Sequence, residues 1–159
     1  MIMPIFLSAR TNIYAGLWIE DMADVFTKKK RSAIMARIRS KNTKPEKLLR
    51  AGLRKLGLHF KSHYNIFGHP DIVFPNEKVA IFVDGDFWHG YNLKIKKQIP
   101  PRRYWLAKIL RNIQRDKVVS KNLKNHGWKV IRIWEHNIVK RPEKYAKQIR
   151  ASIPLKDRR

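Results

Sequence analysis

The sequence predicts a mixed α/β fold, a sheet flanked by helices, and three observations carry that expectation. Residues 71–74 and 79–83 alternate apolar side chains around Pro75, Asn76, Glu77 and Lys78, the pattern of a hairpin closed by a turn. Residues 128–134 alternate in the same way after a long stretch of helical periodicity, so a third strand follows the hairpin through a helix. Further helical stripes precede the hairpin and follow the last strand, and helices spread along a chain in this order cover the faces of a mixed sheet. With 159 residues the chain can bury one real core.

Residues 1–21 read as an N-terminal extension, disordered or translated from a start upstream of the natural one, because Met22 opens a more ordinary soluble sequence. The apolar beginning, Met1 to Ala9, is short, lacks a basic leader and is broken by Arg10, which argues against a signal peptide. Residues 22–159 form the expected single domain. Residues 27–41 are basic, with Ile34, Met35 and Ile38 at helical spacing, and predict a short helix or arm. Its basic face either lies in solvent or touches phosphate. Thr43, Pro45 and Glu46 make a helix start: a capping threonine, a proline in the first turn and the acid of a capping box. Leu48, Leu49, Leu53 and Leu56 form its buried stripe and Gly57 ends it.

Residues 59–66 look extended. In the hairpin, Ile72, Phe74, Val79, Ile81 and Val83 share one apolar face. Symmetry about the Glu77/Lys78 junction would set Asp71 opposite Asp84 on the other face, where paired Cβ atoms stand about 4.5–5.5 Å apart. A polar, basic loop is expected from Gly90 to about Arg103. A long helix follows from near Tyr104 to His126, with Leu106, Ile109, Leu110, Ile113 and Leu123 facing inward and Gly127 ending it. The last helix begins near Pro142 and carries Tyr145 and Ile149 one turn apart.

Lys and Arg number 36 against 12 Asp and Glu, a net charge of +24 with pI near 10.8. Such a surplus repels itself and calls for an acidic partner, of which nucleic acid is the usual one. An anionic membrane competes, but the sequence holds no long basic amphipathic helix with a continuous apolar face. No apolar run approaches the ~20 residues of a membrane span. The chain has no cysteine, which removes disulfides, thiol catalysis and thiolate zinc and fits a reducing cytoplasm. Nothing resembles a serine or cysteine nucleophile motif.

The chemistry concentrates in two stretches, Gly68-His69-Pro70-Asp71 and Ile81 to Gly90. Two carboxylates a few ångströms apart repel unless they share a proton or hold a cation. Oxygen ligands favour magnesium, with manganese as a substitute, over zinc. Asp71 is the first candidate ligand; Asp84, or the backbone carbonyl of Val83, is the second. His89 follows within reach of a metal-bound water and suits general-base work near neutral pH. Phe87 and Trp88, joined by Trp105, are either core residues or wedges that enter a base stack. Unstacking costs less at a mismatch, which gives such wedges a route to selectivity.

These residues resemble the Vsr-type very-short-patch repair endonucleases, over most of the chain from Met22 to Glu135 and His136. The motifs are Arg31-Ser32 with Met35, residues 42–46, Gly68 to Asp71, Ile81 to Gly90, Tyr104 to Ile109 with Asn112 and Arg115-Asp116, Gly127 to Val130, and Trp134-Glu135. The resemblance implies the restriction-endonuclease-like fold of the PD-(D/E)xK group. It also implies a magnesium-dependent nick of one strand beside the thymine of a thymine–guanine mismatch. Asp71 then matches the catalytic, metal-binding aspartate, Val83 the residue whose carbonyl reaches the metal, His89 the histidine that assists the attacking water, and Glu46 an acid near the metal waters. Phe87, Trp88 and Trp105 match the aromatic wedge, Met35 a residue that intrudes from the opposite groove, and Lys108 and Asn112 side chains that read the mismatched pair.

Two departures stand out. Asp84 replaces a histidine of the well-known members. Their structural zinc site, three cysteines and a histidine, corresponds here to Asp86, Tyr91, Leu93 and His136, so no structural zinc is expected. The loop after Gly90 must then be held by packing or stay mobile. The expected partner is double-stranded DNA with a mismatch, bound by a monomer, with mismatch-repair proteins as further candidate partners. A same-fold endonuclease with another DNA target and a basic DNA-binding module that does not cut are the alternatives.

Overall fold

The computed structural model describes residues 27–37, 41–98, 100 and 103–154. The expected extension over residues 1–21, Met22 and Ile38 lie outside them, and Met35 is described only as a backbone position. The elements run α1 (Lys28–Arg37), α2 (Lys44–Lys55), β1 (Ile72–Phe74), β2 (Val79–Asp84), α3 (Tyr91–Lys94), α4 (Arg103–Asn125), β3 (Lys129–Trp134), α5 (Glu135–Lys140) and α6 (Pro142–Ser152).

The sheet order is β1-β2-β3, with β2 in the centre, antiparallel to β1 and parallel to β3. A parallel pair needs a crossover, and α4 supplies it. Side chains alternate across β2, so its two faces build two cores. Ile72, Phe74, Val79 and Ile81 pack with Leu49 and Leu53 of α2, Ile138 of α5 and Ala146 and Ile149 of α6. Ala80 and Phe82 face the other way, against Val119 and Leu123 of α4. A central strand covered on both faces is apolar at nearly every position, as β2 is.

The predicted helix start at α2 forms as expected. The Glu46 carboxylate accepts the Thr43 N–H at 3.3 Å, the Thr43 hydroxyl at 2.7 Å and the Asn42 N–H at 2.9 Å, which satisfies donors that the first turn leaves without helical partners. Two short helices, α3 and α5, were not expected from the sequence.

The hairpin register differs from the expectation. Phe74 pairs with Val79 across the four residues 75–78, so Ile72 pairs with Ile81, and continuing the register sets Asp71 opposite Phe82 rather than Asp84. The turn is centred one residue earlier than the Glu77/Lys78 junction, with Lys78 in the left-handed region at φ 51°. A shift of two in pairing preserves the face. Asp71 and Asp84 therefore still lie on the α4 side of the sheet, but diagonally.

Two glycines bring the site loops against α4. Gly68 has φ +83°, and a Cβ there would lie 2.2 Å from Val119 Cγ1. Gly90 has φ +75°, and its Cβ would lie 2.8 Å from Ile113 Cδ1. Any other residue is strained at both places twice over, by conformation and by contact. Gly68 introduces Asp71 and Gly90 follows His89, so both approaches fix the depth at which catalytic candidates sit.

Candidate active site

Asp71 stands immediately before β1, introduced by the buried Pro70. Its Oδ2 accepts the Val83 N–H at 2.7 Å. Successive residues of a strand point their backbone groups to alternate edges, so the Val83 carbonyl is directed to the same edge as its N–H, toward Asp71. Burial raises the Asp71 carboxyl to a pKa of about 6, against the lowering effect of the Val83 N–H; the charges of Glu46 and Asp84 raise it further and His89 lowers it. Asp71 is thus an acid held in a partly dry place among other acids.

Glu46 is buried, 4% exposed, and reaches this group from the first turn of α2. Arg50, one turn on, approaches it at 3.9 Å and donates to Asn42 Oδ1 at 2.8 Å. Cap and site are therefore the same residue: the hydrogen bonds that start α2 also fix the carboxylate that crowds Asp71.

A second group forms around His89. Its Nδ1 lies 2.6 Å from Asp116 Oδ2, on α4. Burial works to raise the Asp116 carboxyl, but the hydrogen bond and charge of His89, with Arg132 and Arg115, hold it below the ordinary carboxylate range. An ionised Asp116 can only accept, so Nδ1 carries the proton and Nε2 is left as the basic nitrogen. Asp84, His89 and Asp116 bring ligand-type atoms within 4.8 Å of one another. Arg132 of β3 already lies among them. Its Nε and Nη2 donate to Asp84 Oδ2 and Oδ1 at 2.7 and 2.6 Å, and Nη2 is 3.0 Å from Asp116 Oδ1. Desolvation alone would lower the Arg132 pKa, but the two carboxylates raise it above its ordinary value. Its guanidinium also lies 4.6 Å from the centre of the Phe82 ring.

The aromatic residues form one cluster at the N-terminal end of α4. Trp88 packs at 4.8 Å from Phe87 and 5.4 Å from Trp105, each edge to face. Phe87 remains 40% exposed. Lys108 Nζ lies 5.0 Å from the Trp88 ring centre, and Asn112 donates to the Trp88 carbonyl at 3.0 Å. Lys108 and Asn112, expected to read bases, thus hold the Trp88 loop in this structure.

The four positions aligned with the zinc site do not make a metal-ligand set. His136 Nδ1 is 2.7 Å from Asp86 Oδ1, the Tyr91 ring lies 4.5 Å from that of His136 and 5.1 Å from that of Trp134, and Leu93 is buried. Packing and one polar contact hold the loop after Gly90, which answers the question that the missing cysteines raised.

The sequence reasoning brought Asp71, Val83, Glu46, Asp84 and His89 into one neighbourhood and the structure keeps them there. It missed Asp116 and Arg132 as site members. Both had a signal: Lys108, Asn112 and Asp116 recur at i, i+4, i+8 on one helix face, and Arg132 stands between Val130 and Trp134 on an inward face of a strand.

A family model described as DNA mismatch endonuclease Vsr matches residues 23–95. The type II nicking enzyme V.NmeDIP of Neisseria meningitidis serogroup C is 42% identical over 133 residues, 82% of this chain and 90% of that protein. The type II nicking enzyme V.HpaIIP of Haemophilus parainfluenzae is 41% identical over 134 residues, 82% of this chain and 95% of its own length. The DNA mismatch endonuclease Vsr of Escherichia coli (strain K12) is 37% identical over 117 residues, 72% of this chain and 74% of its own.

Proposed function

As the chain belongs to the Vsr family of DNA mismatch endonucleases, we propose that it is a DNA endonuclease that nicks one strand at a thymine–guanine mismatch with the help of a divalent ion held at Asp71. The arrangement around Asp71 and His89 carries this reading. An acid whose pKa is pushed to about 6 by burial and by neighbouring carboxylates lacks a cation. Its oxygens, with the Val83 carbonyl beside them, are hard donors that fit magnesium or manganese. Such an ion polarises a phosphoryl oxygen and lowers the pKa of bound water.

The protein residues divide the remaining work. Asp116 fixes His89 in the Nδ1-protonated form, so that Nε2 can take a proton from the attacking water. Glu46, already holding the start of α2, confines the ion from the other side. Asp84, whose two oxygens are taken by Arg132, stands outside the ligand set that the sequence suggested for it. Phe87, Trp88 and Trp105 form the wedge that enters the stack at the weakly paired step, with Met35 on α1 approaching from the other groove. Lys108 and Asn112 border that wedge and supply the polar contacts to the pair. The mixed sheet with helices on both faces suits the restriction-endonuclease-like fold of the PD-(D/E)xK group. A charge of +24 supplies the electrostatic attraction for the DNA backbone.

A nicking assay tests this. Purified protein with magnesium is incubated with an end-labelled duplex holding one thymine–guanine mismatch and, separately, with its fully paired counterpart. We expect one cut, in the thymine strand, on the mismatched duplex. Equal cutting of both duplexes would favour an endonuclease of the same fold with another target; binding without cutting would favour the non-cleaving module. The variant Asp71→Ala is expected to bind the duplex and not cut it.

A further inference from the structure

Phosphodiester-cutting sites built on two ions set them about 3.5–4 Å apart, each held by shared and separate carboxylates. The site has two places where an ion could be held. One is Asp71, an acid with no cation to balance it. The other is the trio Asp84, His89 and Asp116, whose ligand-type atoms converge within 4.8 Å. Access does not separate them. Asp84, Asp116 and Arg132 line a cleft of about 550 Å³ between α4 and β3, so ions reach the trio from solvent.

What separates them is Arg132. One guanidinium holds both oxygens of Asp84, at 2.7 and 2.6 Å, and an oxygen of Asp116 at 3.0 Å. Two buried carboxylates, 6% and 8% exposed, would be costly without a cation between them. The planar fork of arginine satisfies them with charge and directed hydrogen bonds at once. Register explains how the cation gets there. Phe82 pairs with Arg132 and Asp84 with Trp134 across β2 and β3, so Arg132 projects on the same face as Asp84, one step back along the strands. Its ring contact with Phe82 fixes the angle at which it reaches forward.

We propose that the Arg132 guanidinium is a resident cation occupying the place of a second divalent ion, so that the site works with one ion, at Asp71. Arg132 is then a positioning residue: it holds Asp116 in line with His89 Nδ1 without touching the substrate. The inference rests on Asp71 as the ion-holding carboxylate. It also gives Asp84 a role as the anchor of Arg132.

Manganese binding by the full chain, without DNA, tests the proposal; the count of bound Mn2+ comes from the loss of the free-ion resonance signal. We expect one ion on the unaltered protein, none on Asp71→Asn, one on Arg132→Lys and a second, weaker site on Arg132→Ala, where Asp84 and Asp116 are left exposed to the cleft. Nicking by Arg132→Ala is expected to fall about 10–100-fold in rate with duplex affinity unchanged, and Arg132→Lys to recover part of the rate. If Arg132→Ala folds poorly, a rise in its melting temperature with Mn2+ larger than that of the unaltered protein reports the same gain.

The outcomes are distinguishable. Two ions on the unaltered protein would overturn the role of Arg132 and leave Asp71 as a ligand. A single ion that survives Asp71→Asn would overturn the role of Asp71, and with it the one-ion scheme. No ion bound at concentrations that support nicking would overturn both. An Arg132→Ala protein with one ion and an undiminished rate would overturn the role of Arg132 alone.

Discussion

Asp71 and Asp84 are two buried aspartates on one face of one hairpin, and their surroundings are opposite. Asp84 meets a guanidinium at both oxygens and needs nothing more. Asp71 meets one backbone N–H, two acidic neighbours and a partly dry wall, and its carboxyl is raised to about 6. The lesson is that a buried acid with its own arginine is a structural cation–anion pair, whereas a buried acid among acids marks the place where a ligand completes the charge. A cluster of carboxylates alone does not tell the two apart; the position of the nearest cation does.

The largest expected effects come from removing the water-activating base. His89→Ala should slow nicking by about 10²–10⁴-fold, the usual worth of a positioned general base, with duplex affinity kept. A loss below tenfold in single-turnover assays would move that task to another group. Asp116→Asn should cost about 10–100-fold, because it keeps the shape but alters which His89 nitrogen carries the proton. The double variant should be no slower than His89→Ala, since Asp116 works through His89; additive losses would contradict that order.

Trp88→Ala should weaken cutting of the mismatched duplex more than that of any paired substrate, because a wedge acts where unstacking is cheap. An unchanged preference would make Trp88 a packing residue only.

The smallest effect is on stability, and its sign separates the two aspartates. A carboxyl raised in the folded state contributes stability below its unfolded value, near 3.8, and loses it as pH rises through about 6. Asp71 ionised at neutral pH therefore strains the fold, with a ceiling of about 3 kcal/mol for a shift of this size. Asp71→Asn should melt higher than the unaltered protein at pH 7.5, by an amount worth about 1 kcal/mol, and the gap should shrink toward pH 4. Asp84→Asn should melt lower, because it leaves Arg132 half paired. Magnesium should stabilise the unaltered protein and not Asp71→Asn, and should bind more weakly below about pH 6 as the proton competes. The reverse order of the two melting temperatures would erase the distinction drawn between these sites.

Much of this was legible in the residues. The capping box at Thr43 and Glu46, the alternation of Ile72 to Val83 and the stripe of α4 gave the elements that position the site, because periodicity and caps act locally. The hairpin register was misjudged by two, although Pro75 to Lys78 marked the true centre of the turn; the attraction of facing two aspartates outweighed the turn itself. The helices α3 and α5 escaped because four and six residues carry too little periodicity to register. Asp116 and Arg132 escaped for another reason. Each becomes part of the site only when α4 and β3 fold over β2, and tertiary pairing of that kind leaves only a weak trace along the chain.

The most direct measurement is the anomalous difference map of crystals soaked in manganese. The expected result is one peak at coordination distance from an Asp71 carboxylate oxygen and the Val83 carbonyl, with the Arg132 guanidinium still seated between Asp84 and Asp116. A peak between Asp84 and Asp116 with Arg132 displaced, and none at Asp71, would contradict it.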